Sequence, residues 1–290
     1  MGGKNTKQDN QDEQEPEFPI SALLDDPGTF RIGKGTEGSV YSNNEAQHLA
    51  FKRSHLRSVQ DKWDMEFGMQ REVCELLSDY PKITEYIDVP NVFSHEQHER
   101  HSYIIMERVQ PCWNVSQKFG GQAVHAYLTE NEYCSDLSCV GLAVGRKIVE
   151  RVVDIEETIK ALGKFLALLH YRLNFDAHDV EYILGTTVGS DKVKLYAIDF
   201  GKMSRAKRHR DLEYGFSGYI PHTDKTFIKH YVREAERVGK GKSALHLLDR
   251  LSTPPMPITV PDSDLSHFAV DVKQDDQDKQ HNSIEVSVNS

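Results

Sequence analysis

Three glycines at G-x-G-x-x-G spacing, Gly33, Gly35 and Gly38, stand between two short apolar runs and are followed by Ser39, Val40 and Tyr41. A residue without a Cβ lets the main chain come close to phosphate oxygens. The dinucleotide fingerprint of this spacing leads from a strand into a helix, whereas here a strand follows, so the pattern predicts a strand-turn-strand cradle for nucleotide phosphates. Fourteen residues after Gly38, Lys52 ends the segment Ala50-Phe51-Lys52, where an amine would reach the α- and β-phosphates of ATP. Twenty residues further on, Glu72 lies in REVCELL, where a helical carboxylate would hold the lysine extended. Glu66, six residues earlier, falls on a different face, and the apolar spacing of REVCELL favours Glu72. Late in the chain Asp199 follows the apolar run KLYAI and heads Asp199-Phe200-Gly201, a strand-end carboxylate suited to a hard cation such as Mg2+. Each feature alone has a plainer alternative: a hairpin that needs glycine, an exposed strand lysine, a chance tripeptide. Their order along one chain is what gives them weight.

These residues need elements to position them. Strand signals occur in TFRIGKG, GSVYSN and HLAFKRS, each short and bounded by Gly or Asn. A helix is expected over residues 61–78, with Trp63, Phe67, Val73 and Leu77 among its apolar positions, and two more strands fit VPNVFSHE and HSYIIMERV. Five strands with one helix inserted after the third is a distinctive order. After a connector of undetermined form, Ile155, Ile159, Leu162, Leu166 and Leu169 mark one face of a helix over residues 155–170. FDAHDVEYILG and KVKLYAIDFGK, separated by the turn-prone TTVGSD, read as a hairpin, and a last helical segment over residues 224–251 is interrupted at Gly239-Lys240-Gly241.

Taken together, residues 30–203 resemble the protein-kinase superfamily. The resemblance implies an α+β, two-lobed protein-kinase-like fold with a five-stranded antiparallel N-lobe sheet (residues 18–110) and an abbreviated helical C-lobe (residues 111–252). It implies that YIIMERV is the hinge strand, with Met106 guarding the back of an ATP pocket and the backbone from Glu107 to Val109 facing adenine. It places Asp176 of LALLHYRLNFDAHDVEYIL at the catalytic aspartate, with Asn174 where a histidine is usual. Asp179 falls near the catalytic-loop lysine and Glu181 at the asparagine that binds a second metal, leaving Asp199 and Glu181 as the Mg2+ ligands. Alternatively, Asp179 and Glu181 point into the protein and hold the loop by hydrogen bonds. More narrowly, MERVQP, the stretch from Tyr133 to Lys147 and FDAHDVEYILG followed by YAIDFG resemble a fungal kinase-like family labelled as a domain of unknown function. Some of its members are catalogued as zinc finger proteins. Zinc-ligand spacing is missing here, since Cys74, Cys112, Cys134 and Cys139 make no C-x-x-C pair.

No A-P-E tripeptide follows Asp199-Phe200-Gly201, and only about fifty residues separate Gly201 from Ser252. Three functions are therefore expected as alternatives: a phosphotransferase acting on a protein or small molecule, a nucleotide-binding pseudokinase, or an interaction module of the same fold. The formal net charge is -10, concentrated in residues 1–17 and 262–290, which leaves the middle near neutral and gives no general nucleic-acid signal. The exception is KMSRAKRHR, from Lys202 to Arg210, a solvated loop or a phosphate contact. Residues 1–17 and 253–290 are too polar to order themselves, apart from SIEVSV, which could pair as a strand. The opening Met-Gly-Gly-Lys-Asn-Thr fits a loose myristoylation pattern at Gly2, and no apolar run is long enough to span a bilayer. A cytoplasmic or nuclear address is expected.

Overall fold

The computed structural model describes residues 20–35, 37–55, 60–112, 124–128, 142–216 and 220–252. The segment containing Gly2, the tail from residue 253 with SIEVSV, and most of the stretch from Tyr133 to Lys147 lie outside the described residues.

The first part of the chain builds α1 (Ile20–Asp25), β1 (Thr29–Lys34), β2 (Gly38–Asn43), β3 (Leu49–Ser54), α2 (Gln60–Ser78), α3 (Pro81–Thr84), β4 (Ile87–Asp88), β5 (Val92–His98) and β6 (His101–Glu107). Five of these strands form an antiparallel sheet in the order β1-β2-β3-β6-β5, with α2 inserted after the third strand as the sequence predicts. The period-2 alternation of β3 sends Leu49 and Phe51 into a small apolar cluster with Ile20, Leu23, Ala46, Tyr103 and Ile105. Lys52 is thereby turned to the other face of the sheet.

The rest of the chain adds β7 (Gln110–Pro111), β8 (Val124–Tyr127), β9 (Leu142–Gly145), α4 (Arg146–Val149), α5 (Ile155–Tyr171), β10 (Glu181–Thr186), β11 (Lys194–Ile198), 3-10 turns at Phe200–Lys202 and His209–Gly215, α6 (Lys225–Arg237) and α7 (Gly241–Ser252). The expected hairpin is present, with Glu181 opposite Ile198 and Gly185 opposite Lys194. It lies within a second sheet ordered β4-β11-β10-β8-β9, with β7 also on β10, in which β4 runs parallel to β11 and β8 parallel to β9. The abbreviated helical C-lobe expected here, with that hairpin as its only strands, is corrected by these further short strands. β4, β7, β8 and β9 have two to four residues each, too few for an alternating pattern to show.

Helix α5 anchors the larger core. Asp154 caps it by accepting from the Glu157 amide at 3.2 Å. Its buried residues, among them Leu162, Phe165, Leu166 and Leu169, pack with Val73 and Leu77 of α2, Phe227 and Tyr231 of α6, and Leu247 of α7. Each such side chain contributes about 1.5–3 kcal/mol by leaving water. Where α5 meets α6, a Cβ on Gly163 would stand 2.6 Å from the Phe227 carbonyl oxygen and 3.1 Å from the Tyr231 nitrogen, so the two helices touch main chain to main chain.

Candidate functional site

Lys52 donates from Nζ to Glu66 Oε1 at 2.6 Å and to Asp199 Oδ1 at 2.9 Å, with the Trp63 ring centroid 5.4 Å away. The partner on α2 is thus Glu66, and the assignment of Glu72 is corrected. The reason is helical geometry: Trp63, Glu66, Met69, Gln70, Val73 and Leu77 recur at three- and four-residue steps and are all buried, whereas Glu72 leaves that stripe. Glu72 is only partly buried and pairs with Arg205 at 2.7 Å. The apolar stripe itself, read back from Val73 to Trp63, was the signal that singles out Glu66.

The electrostatics follow from burial. Glu66 is 3% exposed, and its burial pushes its carboxyl pKa up, against the pull of the Lys52 charge. Burial also disfavours a charged amine at Lys52, but Glu66 and Asp199 outweigh it and hold the Lys52 pKa above its usual value. For Asp199 burial acts upward too, yet the charge and hydrogen bond of Lys52, helped by Lys202 and Lys62, bring the carboxyl below its usual range. The amine and the Asp199 carboxylate therefore remain charged partners at neutral pH.

Asp199 has φ 61° and ψ 66°, a left-handed conformation that turns the chain sharply out of β11 into the Phe200–Lys202 turn. Phe200 and Gly201 are buried there. A Cβ on Gly201 would lie 2.8 Å from Glu66 Oε2, so glycine is what lets α2 bring its carboxylate alongside. At the glycine turn, Gly35 N donates to Gly38 O at 2.8 Å. A Cβ at Gly38 would meet the Arg53 carbonyl at 2.7 Å and the Trp63 ring at 3.1 Å, a packing requirement. Around Gly33 and Gly35 the nearest neighbours stand 3.6 Å or farther, so packing within the chain does not require glycine at either. The turn is tied to α2 by an ion pair between Glu37 and Lys62.

Asp176 is buried in a tightly coiled loop in which Asn174, Ala177 and Asp179 all have positive φ. Left-handed backbone at residues with a Cβ costs roughly 1–2 kcal/mol each, less at Asn and Asp, and persists only where the surroundings hold it. Here Asp176 N donates to the Ser204 carbonyl at 2.9 Å. Its Oδ1 accepts from His178 N at 3.1 Å and Ser204 N at 2.9 Å, and its Oδ2 accepts from Ser204 Oγ at 2.7 Å. Asp179 pairs with exposed Lys202 at 2.7 Å, so it ties the loop at the surface and does not point into the protein. Glu181 opens β10 opposite Ile198, one residue before Asp199, and lies 3.3 Å from His125 Nδ1 on β8. Burial lowers the His125 pKa against the opposing charge of Asp199.

Of the residues expected at the hinge, Met106 pairs with Ala50 and Val92 within the sheet. Glu107 N donates to the Asn91 carbonyl at 2.7 Å, so that amide is committed within the chain. Val109 packs so closely on Gly185 that a Cβ there would stand 2.4 Å from Val109 Cγ1. The basic run is broken up by pairing: Lys202 with Asp179, Arg205 with Glu72, Arg208 with Asp211. Sequence reasoning took Ser204 and Arg205 only as part of the run from Lys202 to Arg210 and passed over His125, because each acts through a tertiary contact. Among the described residues no group of three or more His, Cys, Asp and Glu side chains is arranged to hold a metal ion. The chain matches no family model and no curated protein.

Proposed function

We propose that this chain binds ATP with Mg2+ in a kinase-like, two-lobed fold and transfers the γ-phosphate to a protein or small-molecule acceptor. The observation that carries the reading is the Lys52 amine, held at once by buried Glu66 and by Asp199. An amine kept charged and extended, beside a carboxylate kept anionic and beneath a glycine turn, is the arrangement that polyphosphate binding needs. The Asp199 side chain is 44% exposed, and one of its oxygens is bonded to Lys52, which leaves carboxylate surface for a hard cation. Mg2+ is commonly held by one or two carboxylates with substrate phosphates and water as the remaining ligands, so a site short of three protein ligands fits it. When bound, the cation would neutralise charge on the β- and γ-phosphates.

The chain's own residues divide the work. Lys52 would orient the phosphates, Glu66 keeps Lys52 extended, and Gly33 and Gly35 leave room for close approach of the main chain. Asp176 would accept the proton of an acceptor hydroxyl, and Glu181 with His125 would line the cleft at the start of β10. One observation favours a second reading, a nucleotide-binding pseudokinase: both Asp176 oxygens already accept hydrogen bonds, from three donors in all. The test is equilibrium ATP binding by the full chain with Mg2+ and with EDTA, followed by γ-phosphate turnover. Metal-dependent binding lost in Asp199→Asn, with turnover lost but binding retained in Asp176→Asn, is the expected result. Equal binding in EDTA would overturn the metal-dependent mechanism, and binding without turnover would leave the pseudokinase.

A further inference from the structure

Arg205 makes more directed contacts than any other residue of the basic run. Nη2 donates to Glu72 Oε1 and Oε2, both at 2.7 Å, and Nη1 donates to the Leu173 carbonyl at 2.7 Å. The guanidinium carbon lies 4.7 Å from the centroid of the Phe175 ring. Phe175 and Arg205 also form an antiparallel bridge, flanked by Ala206 N donating to the Asn174 carbonyl at 2.8 Å and Asn174 Nδ2 to the Ala206 carbonyl at 2.9 Å. One residue before Arg205, Ser204 holds both carboxylate oxygens of Asp176. Six residues before Glu72 on the same helix, Glu66 holds Lys52.

The other polar ties of α2 lead elsewhere. Lys62 reaches Glu37 at the glycine turn, Asp64 reaches His95 on β5 at 2.6 Å, and Gln70 Nε2 donates to the Pro90 carbonyl at 2.8 Å. Beside the apolar packing of Met69 and Val73 in the same core as Phe175 and Ala177, the Glu72–Arg205 pair is, among the described residues, the ion pair that joins α2 to the Asp176 loop. We propose that Arg205 is a positioning residue that couples the two halves of the site: through Glu72 it fixes the rotation of α2 that presents Glu66 to Lys52, and through Leu173, Phe175 and the Ser204 backbone it fixes the loop that presents Asp176. Nη2 alone reaches both Glu72 oxygens, as Lys62 Nζ does at Glu37, so what a lysine would lose is the second donor to the Leu173 carbonyl together with the planar stacking on Phe175. Both side chains are partly exposed, 57% for Arg205 and 40% for Glu72, so the coupling is open to screening by salt.

The purpose of this coupling rests on the phosphotransfer reading, but the coupling itself belongs to the nucleotide-free protein and is tested there. Hydrogen exchange of the full chain would be measured for peptides covering residues 60–78 and 173–180, alongside the rate at which an acylating reagent modifies Lys52, in wild type, Glu72→Gln, Arg205→Ala and the double variant. Each single variant is expected to raise exchange in both segments and to change Lys52 acylation by about two- to five-fold, the range an exposed ion pair supports, with the double variant no worse than Arg205→Ala. A purely local role for Arg205 would move the loop and leave Lys52 reactivity at the wild-type rate in Glu72→Gln. That result, or additive effects in the double variant, overturns the inference. Glu72→Gln is nearly isosteric and keeps the test usable should Arg205→Ala fail to fold. If the coupling is found and the protein binds no ATP, the functional reading fails while the inference stands; ATP turnover without coupling separates the two the other way.

Discussion

Asp199 is held by a charged amine, Lys52, on the face of the first sheet opposite its apolar cluster, whereas Asp176 is held by neutral donors, two backbone amides and the Ser204 hydroxyl, in a loop with three left-handed residues. The first centre is electrostatic: its order depends on charges that burial makes expensive and that only their partners offset. The second is geometric. Its carboxylate is placed by coiled backbone, and its hydrogen bonds would survive the loss of its charge. Neutralising substitutions should therefore disrupt one centre structurally and the other only chemically.

The largest effect is expected at the first centre. Lys52→Met leaves Glu66 buried without its cation and should cost about 3–5 kcal/mol in urea unfolding at pH 7, and under the proposed function it should also abolish ATP binding. Glu66, raised by burial, can take up a proton instead, so this loss should shrink as pH is lowered, and Lys52→Met with Glu66→Gln should recover part of it. Equal loss at pH 5 and pH 8 would show that charge is not what holds this centre.

Asp176→Asn tests the opposite expectation. The amide oxygen can keep accepting from the His178 and Ser204 amides, so unfolding should shift by about 1 kcal/mol, while phosphate transfer should fall by about 10²–10⁴-fold. A stability loss as large as that of Lys52→Met would erase the contrast between the centres.

Acid titration separates the two regions by pH. His170, next to the Asp176 loop, is fully buried and its Nδ1 lies 2.7 Å from the Tyr231 hydroxyl; burial brings its pKa down to about 3. Its folded form is neutral while the unfolded form binds a proton near pH 6.5, so its stabilising contribution is complete above that pH. As the pH falls below 6.5 that contribution is lost, at about 1.4 kcal/mol per pH unit, down to about pH 3. Asp199, whose carboxyl is lowered, contributes above about pH 4 and loses that contribution as the pH falls further. Unfolding free energy flat from pH 7 to pH 5 would contradict the His170 environment. The smallest effect belongs to Glu72→Gln, about 1 kcal/mol or less in stability and fading in 1 M salt, since the pair is partly exposed.

The longer segments were legible in the sequence: the first-sheet strands as short runs set off by Gly, Asn or polar turns, α2 and α5 by helical spacing of their apolar residues, and the β10–β11 hairpin by two apolar segments around a turn. The choice between Glu66 and Glu72 was readable too, but only from the whole stripe from Trp63 to Leu77 and not from REVCELL alone. The second sheet was illegible because its added strands are two to four residues long and two of its pairings are parallel, joined through long connections. Ser204 and Arg205 were visible only as members of the basic run from Lys202 to Arg210, with no sign of the contacts they make. Their roles arise from a single antiparallel bridge between Phe175 and Arg205, a contact across thirty residues that no local pattern encodes.

The contact at Gly163 carries a genetic consequence. No side chain separates α5 from α6 there, so nothing can change rotamer to absorb an added methyl group, and the displacement would pass into the backbone at Phe227 and Tyr231. Tyr231 delivers its hydroxyl to His170, whose ring abuts Gly215, and Gly215 in turn lies against the Asp176 carbonyl and Ala177. In a mutational screen, substitutions at position 163 should therefore score beside those at His170 and Asp176, although its own neighbours are Phe227, His230 and Tyr231.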